Sequence, residues 1–578
     1  TIMNLKKTII MMNRFAKYLT GIICLFLISA NLTAQEDDGD EQIGNQNVTV
    51  LTDYTPEISE AFRIEKLPEI VDTIKVEPEF EYKIYSKKMI ADYNPDPLSA
   101  AKLKSEPKDV LENGYAKIAI GSKLMLDGEI HYNNTRSNDL NWGINGRHKS
   151  GHGSIDNRVQ DKVFAGYNRN KIGIFGKKMF SETTLRGSAG FKSNQHFFYG
   201  YNNENLTLDS APTSRSDFKE MTQMQRYNLV SVRTEASSHY NHSKKLNYKV
   251  SLDYDYWFDS EDNMEHDLRF DLGLDKKIKK ELIGINAALR LLPASFMDST
   301  RMFISFDPYL AHNSENFKVK LGLHAKGRFE GDSTSYHFYP DVTIEHNIAD
   351  VVLPYFSFSG DLSPQSSNSL TRVNPYLNDV NRIFPVSETN TKQRIVVGIK
   401  GRISEEVQFN FNGKYIKKED ELFFINDYSD NLYNRFNIIY SDIEMFNAYG
   451  EISFDFPRSF NLRLYGNYNH FTWLKDIDKP YHVPDIEIGA FVSVRVIPQL
   501  RVYSDASLMF GRYSFDLTKM KNLELDPVID VNLGVEYVVS QQLRAFLELN
   551  NLASQNYEIW NHYPVYGFHA MAGISYSF

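Results

Sequence analysis

"GFHAMAGISYSF", residues 567–578, closes the chain, and its reading decides the fold. Phe568, Ala570, Ala572, Ile574, Tyr576 and Phe578 fall on one face of an extended segment, with His569, Met571, Gly573, Ser575 and Ser577 on the other. A period of two is the signature of a strand. Chain ends fray unless something ties them down, so a terminal strand without a polar tail needs a partner along its length. A closed outer-membrane barrel supplies that partner, because its last strand hydrogen-bonds the first and leaves no sheet edge in lipid. Phe578 is then the last outward side chain of the closing strand, in the part of the chain that a barrel assembly machinery would read.

The same alternation recurs from residue 115 onward. In "IDVNLGVEYVV" (529–539) the residues Ile529, Val531, Leu533, Val535, Tyr537 and Val539 share one face, while Asp530, Asn532, Gly534 and Glu536 take the other. In "IEIGAFVSVRV" (486–496) one face is uncharged and Glu487 and Arg495 point the opposite way. A lysine or arginine on the lipid face at mid-bilayer costs about 2–4 kcal/mol. A slip of one residue would put such charges into hydrocarbon, so the pattern fixes the register.

Connector length supplies a second signature. "HSKKL" (242–246), "KIKKE" (277–281), "ISEEV" (403–407), "FPRSF" (456–460), "IPQL" (497–500) and "VSQQL" (539–543) are short. Longer polar stretches fall between them, over 203–225, 366–392, 474–484 and 515–526. Short periplasmic turns and long external loops are the rhythm of outer-membrane barrels. Strand centres fall near 119, 130, 144, 171, 193, 233, 253, 271, 288, 308, 324, 342, 358, 399, 416, 446, 466, 489, 507, 533, 550 and 573, which gives about 22 strands with both ends periplasmic. A barrel that large has a lumen its own wall side chains cannot fill. Aromatic residues make up 13% of the chain, which suits a wall with two interfacial girdles.

The chain start reads as a secretory signal peptide over residues 1–34: Lys6, Lys7, Arg14 and Lys17 without an acid, the apolar "IICLFLI" (22–28), and cleavage after Ala34. Its apolar core is far shorter than the ~20 residues of a spanning helix. The single cysteine, Cys24, lies inside this leader. The rest of the chain therefore has no disulfide, thiol nucleophile or thiolate metal site. The formal net charge is −10, and losing a basic leader makes the remainder more acidic, which argues against nucleic acid as a partner.

The segments "LRAFLELNNLASQNYEIW" (543–560) and "YPVYGFHAMAGISYSF" (563–578) resemble the C-terminal end of TonB-dependent receptor barrels. The matching residues are Asn550, Asn551, Leu552, Asn556, Tyr557, Pro564, Gly567 and Phe578. The resemblance implies receptor or transporter work at the outer membrane, energised through TonB or another periplasmic or outer-membrane subunit. The departure lies at the other end. Such receptors carry a folded plug of well over a hundred residues, whereas residues 35–114 contain six prolines and no glycine between Gly44 and Gly114. An extended N-terminal arm without a folded plug is expected over 35–114, followed by the barrel over 115–578.

Within that arm "NVTVLTDY" (47–54) resembles the segment by which such receptors are engaged by TonB, with Val48, Val50 and Leu51 as the contact candidates; any short strand would look alike. "DTIKVEPEFEYKIY" (72–85) alternates as well, with Pro78 restricting it to an edge or to an extended polypeptide. It either lines the lumen or adds to a periplasmic partner as an edge strand.

Catalytic and cofactor signatures are missing from the sequence: there is no phosphate loop, no His-Glu-x-x-His and no Gly-x-Ser-x-Gly elbow. The expectation is a non-enzyme without cofactor or metal. "DYDYWFDSEDNMEHD" (253–267) gathers Asp253, Asp255, Asp259, Glu261, Asp262 and Asp267, but lacks the central glycine and spacing of a calcium loop. It reads better as a solvated loop joined to acidic lumenal positions. "QHFFYGY" (195–201) and "NHFTW" (469–473) read as girdle residues in contact with outer-membrane lipid rather than sugar platforms. The sequence thus predicts an all-β protein, a large antiparallel transmembrane barrel acting as a receptor-like transporter of an unidentified ligand. The alternatives are a scaffold barrel in a larger complex and a passive porin.

Overall fold

A computed structural model of the chain describes residues 112–578 apart from 135–136, 138, 156–162, 201–222, 239–244, 350, 380–386, 430–432, 457–458 and 517–518. The expected leader, the arm up to residue 111 and its candidates Val48, Val50 and Leu51 lie outside the described residues.

Twenty-two strands form one closed antiparallel sheet. In chain order they are β1 (Gly114–Gly121), β2 (Met125–Asn133), β3 (Leu140–Gly151), β4 (Tyr167–Met179), β5 (Thr183–Phe197), β6 (Met224–Ser238), β7 (Asn247–Asp259), β8 (Met264–Ile278), β9 (Glu281–Leu292), β10 (Arg301–Asn313) and β11 (Phe317–Glu330). The second half comprises β12 (Ser333–His346), β13 (Val352–Ser363), β14 (Thr389–Arg402), β15 (Val407–Asn426), β16 (Phe436–Phe456), β17 (Phe460–Leu474), β18 (Ile486–Ile497), β19 (Leu500–Phe510), β20 (Val528–Val538), β21 (Leu543–Asn550) and β22 (His569–Ser577). Each strand pairs with its neighbours in sequence, and β22 closes on β1 through Tyr115↔Ser577, Ile118↔Ile574 and Gly121↔Met571. Every strand centre expected from the sequence falls inside one of these strands.

Alternation sorts the wall into two chemistries. On β1, Ile118 and Ile120 face outward, 54% and 66% exposed, whereas Ala119 is buried on the lumenal side. On β12, Tyr336 and Phe338 are 65% and 69% exposed, while Asp341 between them and the next turn pairs inward with Lys320 at 2.6 Å. Leaving such side chains in water forfeits about 25 cal/mol per Å² of apolar area; a belt of them around a closed sheet is a lipid-facing surface. The lumenal face carries ion pairs instead, including Asp255–Arg269 (2.9 Å), Asp267–Arg290 (2.8 Å) and Glu345–Lys400 (3.0 Å).

The two ends of the wall differ. Turns such as 180–182, 279–280, 314–316 and 498–499 sit at the end where β1 begins and β22 ends. At the other end, connections over 152–166, 364–388, 511–527 and 551–568 are long. The 364–388 connection contains the one α-helix among the described residues, α1 (Ser367–Val373). Its start is held by a reciprocal pair in which Ser366 accepts from the Ser369 N–H and Ser369 accepts from the Ser366 N–H, an arrangement that satisfies two orphan donors at once.

Candidate functional site at the outer mouth of the barrel

The long connections fold inward and share a hydrophobic core. Ile155, Val163 and Ala165 (between β3 and β4), Tyr199 (between β5 and β6), Leu370 and Leu377 (between β13 and β14), Phe424 and Phe436 (facing ends of β15 and β16) and Tyr563 (between β21 and β22) form one buried cluster. Strands β3 and β13 stand nearly opposite each other in the 22-strand wall. Contact between their loops therefore requires the 364–388 segment to reach across the mouth. The result is a cap.

Tyrosines hold the cap together. Tyr376 stacks on Tyr563, and Tyr199 meets both rings edge-on at 5.9 and 4.9 Å. Four hydroxyls are used on a backbone carbonyl of another segment: Tyr199 donates to Pro564 (3.0 Å), Tyr566 to Ala165 (2.6 Å), Tyr227 of β6 to Pro375 (3.3 Å), and Tyr563 to Asn434. This suits a side chain with a large apolar body and one polar tip. Burial pushes the Tyr199, Tyr376 and Tyr566 hydroxyls upward from the ordinary phenol range, so they remain neutral.

Polar anchors fix the cap to the wall. Glu265 of β8 accepts from the Ser367 N–H (2.8 Å) and hydroxyl (3.1 Å) at the start of α1. Arg301 of β10, 1% exposed, donates to the Gln365 carbonyl at 2.9 Å and lies 4.0 Å from Glu265 and 3.9 Å from Glu388. Asn263 donates to Asp379 at 3.1 Å. His482, between β17 and β18, donates through Nδ1 to the Phe424 carbonyl (3.1 Å) and accepts at Nε2 from the Asn561 N–H (3.3 Å). A carbonyl can only accept and an N–H only donate, so this ring must be neutral. Burial, followed by the charge of Arg512, depresses its pKa to about 3.

The residues that carried the resemblance build the β21–β22 connection. Asn551, buried at a positive φ of 48°, donates to the Gln555 (2.7 Å) and Tyr566 (2.9 Å) carbonyls and accepts from the Gln555 N–H (3.1 Å). It thereby shapes the loop that presents Tyr563 and Tyr566. Asparagine tolerates this left-handed conformation better than other non-glycine residues.

Two readings of the sequence need correction. In "QHFFYGY" His196, Phe197, Phe198 and Tyr199 are all buried, Phe198 at 1%, so this stretch belongs to the cap and not to a lipid girdle; its aromatics turn inward because the strand ends at Phe197 and the chain enters a loop. In "NHFTW" Trp473 is exposed, but Phe471 packs inward against Phe423, Ile443 and Met445, since a bulge beside Glu444 and Met445 resets the alternation. The acids of 253–267 are taken up by the wall: Asp255 meets Arg233 and Arg269, Asp267 meets Arg269 and Arg290, and Asp259 accepts the Glu261 and Asn263 N–H groups. The terminal residues Phe568, Ile574, Tyr576 and Phe578 are exposed on the outer face and Met571 is buried inside; Ala570 and Ala572 share the outer face by alternation. The Phe578 carbonyl accepts from Gly114 N–H at 2.6 Å.

No family model matches the sequence, and no curated protein matches it. Solved structures do. The siderophore receptor PirA from Acinetobacter baumannii superimposes with a TM-score of 0.63 at 12% identity, covering 82% of this chain and 81% of that one. The FrpB iron transporter from Neisseria meningitidis gives 0.62 at 10% identity, covering 81% of this chain and 82% of that one. The copper transporter OprC gives 0.59 at 12% identity, covering 82% of each chain. The chain has the barrel fold of TonB-dependent outer-membrane receptors. With its lipid-facing belt it is an outer-membrane β-barrel, and the proteins it resembles are transport receptors, not enzymes. In this barrel the described outer loops meet across the mouth in one buried cluster.

Proposed function

We propose that the protein is a TonB-coupled outer-membrane transporter whose outer cap opens for a ligand and closes behind it. The observation that supports this most is the cap itself: a 22-strand wall encloses a lumen that would leak, and buried tyrosines drawn from separate loops cover its outer mouth. A passive porin has no use for such a cover. Coupling would run through Val48, Val50 and Leu51, outside the described residues.

The test is uptake. Replacing Val48, Val50 and Leu51 by proline should abolish proton-motive-force-dependent uptake while leaving barrel assembly intact. Uptake that survives the replacement overturns TonB coupling. The runner-up, a scaffold barrel in a larger complex, draws support from the same cover, because loops packed across the mouth also serve a barrel that never transports. Single-channel recordings separate the two: a transporter cap should show transient openings, whereas a scaffold should stay closed.

A further inference from the structure

The lumenal wall is not evenly charged. Strands β3, β4 and β5 contain no aspartate or glutamate, yet their lumen-facing positions carry Arg147, Lys149, Arg169, Lys171, Lys177, Arg186 and Lys192. In a chain of net charge −10 that is a segregated surface. Ile172 and Ile174 are 60% and 57% exposed on the lipid face, so by alternation Arg169 and Lys171 point into the lumen. Phe191 likewise faces out, which turns Lys192 in.

Register places these cations side by side. Arg147 lies opposite Lys171, and Lys149 opposite Arg169; Lys171 in turn lies opposite Lys192. Like charges directly across a strand pair destabilise a sheet, and here they form a continuous row over three strands. Arg147 is compensated by Asp127 at 3.1 Å. Lys149, Lys171 and Lys192 make no ion pair among the described residues. Arg372, on the cap helix α1, adds its charge to Lys192 from above, as does Arg233 from the side. The acid that bears on Lys192 is Asp255, already engaged by Arg233 and Arg269.

Next to this row the wall carries two glycines, with the Asn145 amide 3.2 Å from where a β-carbon on Gly173 would stand. Gly173 follows Lys171 on the lumenal face and pairs with Gly190, and a β-carbon on Gly190 would meet only backbone atoms, the nearest at 3.3 Å. A row of cations on a low-dielectric sheet focuses a positive potential into the lumen. Guanidinium and ammonium groups in such a place favour oxyanions.

We propose that the lumenal cation row of Arg169, Lys171 and Lys192, with Arg372 of α1 acting on it, is a binding site for a soluble multivalent oxyanion, a phosphate- or polycarboxylate-bearing solute, held just beneath the cap. The inference rests on the reading of the barrel as a solute-handling receptor and names the chemical class of its ligand. Its position on the inner wall separates it from bilayer headgroups. Arg372 links occupancy to the cap, because the same helix that carries it is anchored by Ser367 to Glu265.

The probe is inorganic pyrophosphate, titrated calorimetrically into the detergent-solubilised full chain at 150 mM NaCl, with citrate as the carboxylate arm. One saturable site is expected, weakened at least tenfold in the double variant Lys171→Gln, Lys192→Gln and in Arg372→Gln. Lys417→Gln, a change at the Lys417–Glu444 pair of β15 and β16, should leave it unchanged. Thermal unfolding provides a second readout that does not depend on the variant losing its fold. Without ligand, the double variant should melt at or above the wild type, since like-charge repulsion is relieved, and pyrophosphate should raise only the wild-type midpoint. No saturable heat with either anion, or equal binding in the double variant, overturns the proposal. Binding without uptake supports the site and counts against the transport reading; uptake without anion binding counts against the site alone.

Discussion

The ring of Tyr376 lies on that of Tyr563 with centroids 3.7 Å apart and planes 22° from parallel, joining the β13–β14 connection to the β21–β22 connection above the lumen. Truncating a buried aromatic costs about 3–5 kcal/mol, and the stacked pair adds about 0.5–1.5 kcal/mol of coupling. Tyr376→Ala should therefore shift the cap toward open without dismantling the wall. Planar-bilayer recordings should show long-lived conducting states that the wild type lacks. A Tyr376→Ala, Tyr563→Ala double variant should be less than additive, because the two rings share one contact. An unchanged conductance trace would mean that this contact does not hold the mouth shut.

Closure of the wall depends on a glycine. The Phe578 ring crosses the Cα of Gly114 so closely that a β-carbon there would stand 2.3 Å from ring carbons, and the two residues exchange backbone hydrogen bonds of 2.6 and 2.9 Å. Gly114→Val should displace the ring and weaken the β1–β22 seam. Phe578→Asp should do so more severely, since it also places a charge on the lipid-facing side. The readout is heat-modifiable electrophoretic mobility: folded barrel should fall in both variants, and most in Phe578→Asp. Wild-type levels of folded barrel in Phe578→Asp would show that the terminal aromatic is dispensable for assembly.

The wall was legible in the sequence and the cap was not, for a physical reason. Strand positions follow from a period of two that the contrast between lipid and lumen imposes at every strand, as Ile529 to Val539 illustrate; one window of eleven residues suffices to read it. Connector lengths were equally plain. The cap depends on contacts between residues hundreds of positions apart, such as Tyr199 with Pro564 or Tyr566 with Ala165, and a loop has no period that betrays its partner. Even α1 offered little: "SNSLTRV" is too short for a helical stripe, and its start is marked by Ser366 and Ser369 where a capping box usually shows a glutamate. The aromatics of 195–201 misled because a girdle and a buried cap draw on the same residue types.

His482 makes the cap sensitive to acid. Its folded pKa of about 3 lies below the ordinary histidine value of ~6.5, so the released loop binds a proton that the packed loop excludes. Acid therefore favours release. The loss begins as pH falls below about 6.5 and continues toward 3, reaching about 2 kcal/mol at pH 5. Hydrogen exchange of the 475–485 segment should accelerate between pH 7 and pH 5 after correction for the intrinsic rate. His482→Gln keeps a donor for Phe424 and an acceptor for Asn561 but cannot titrate, and should flatten that dependence. The same acceleration in the glutamine variant would assign the effect to another group.

Arg301 and Glu265 offer the sharpest separation between holding the cap and holding the barrel. Both side chains are 1% exposed, and Glu265 bonds the first residue of α1 while Arg301 bonds the carbonyl of Gln365 just before it. Removing one charge of a buried pair leaves the other uncompensated and costs about 3–5 kcal/mol, whereas replacing the whole pair with apolar groups of similar volume is often close to neutral. Here the pair has an added function, because Arg301 holds the Gln365 carbonyl and Glu265 holds Ser367, and replacing the whole pair removes both bonds. Arg301→Met should therefore leave Glu265 without its counter-charge, while Glu388 keeps Arg328 at 2.9 Å, and should lower the melting midpoint and loosen the start of α1 at Gln365. Arg301→Met combined with Glu265→Leu should recover part of the midpoint yet leave α1 detached, since no acceptor remains for Ser367. Protease access to the 364–379 segment reports on the helix, and thermal midpoint on the wall. If the double variant restored both, the anchoring would come from tyrosine packing alone; if it restored the midpoint but not protection, the buried charges serve to position α1 over the lumen.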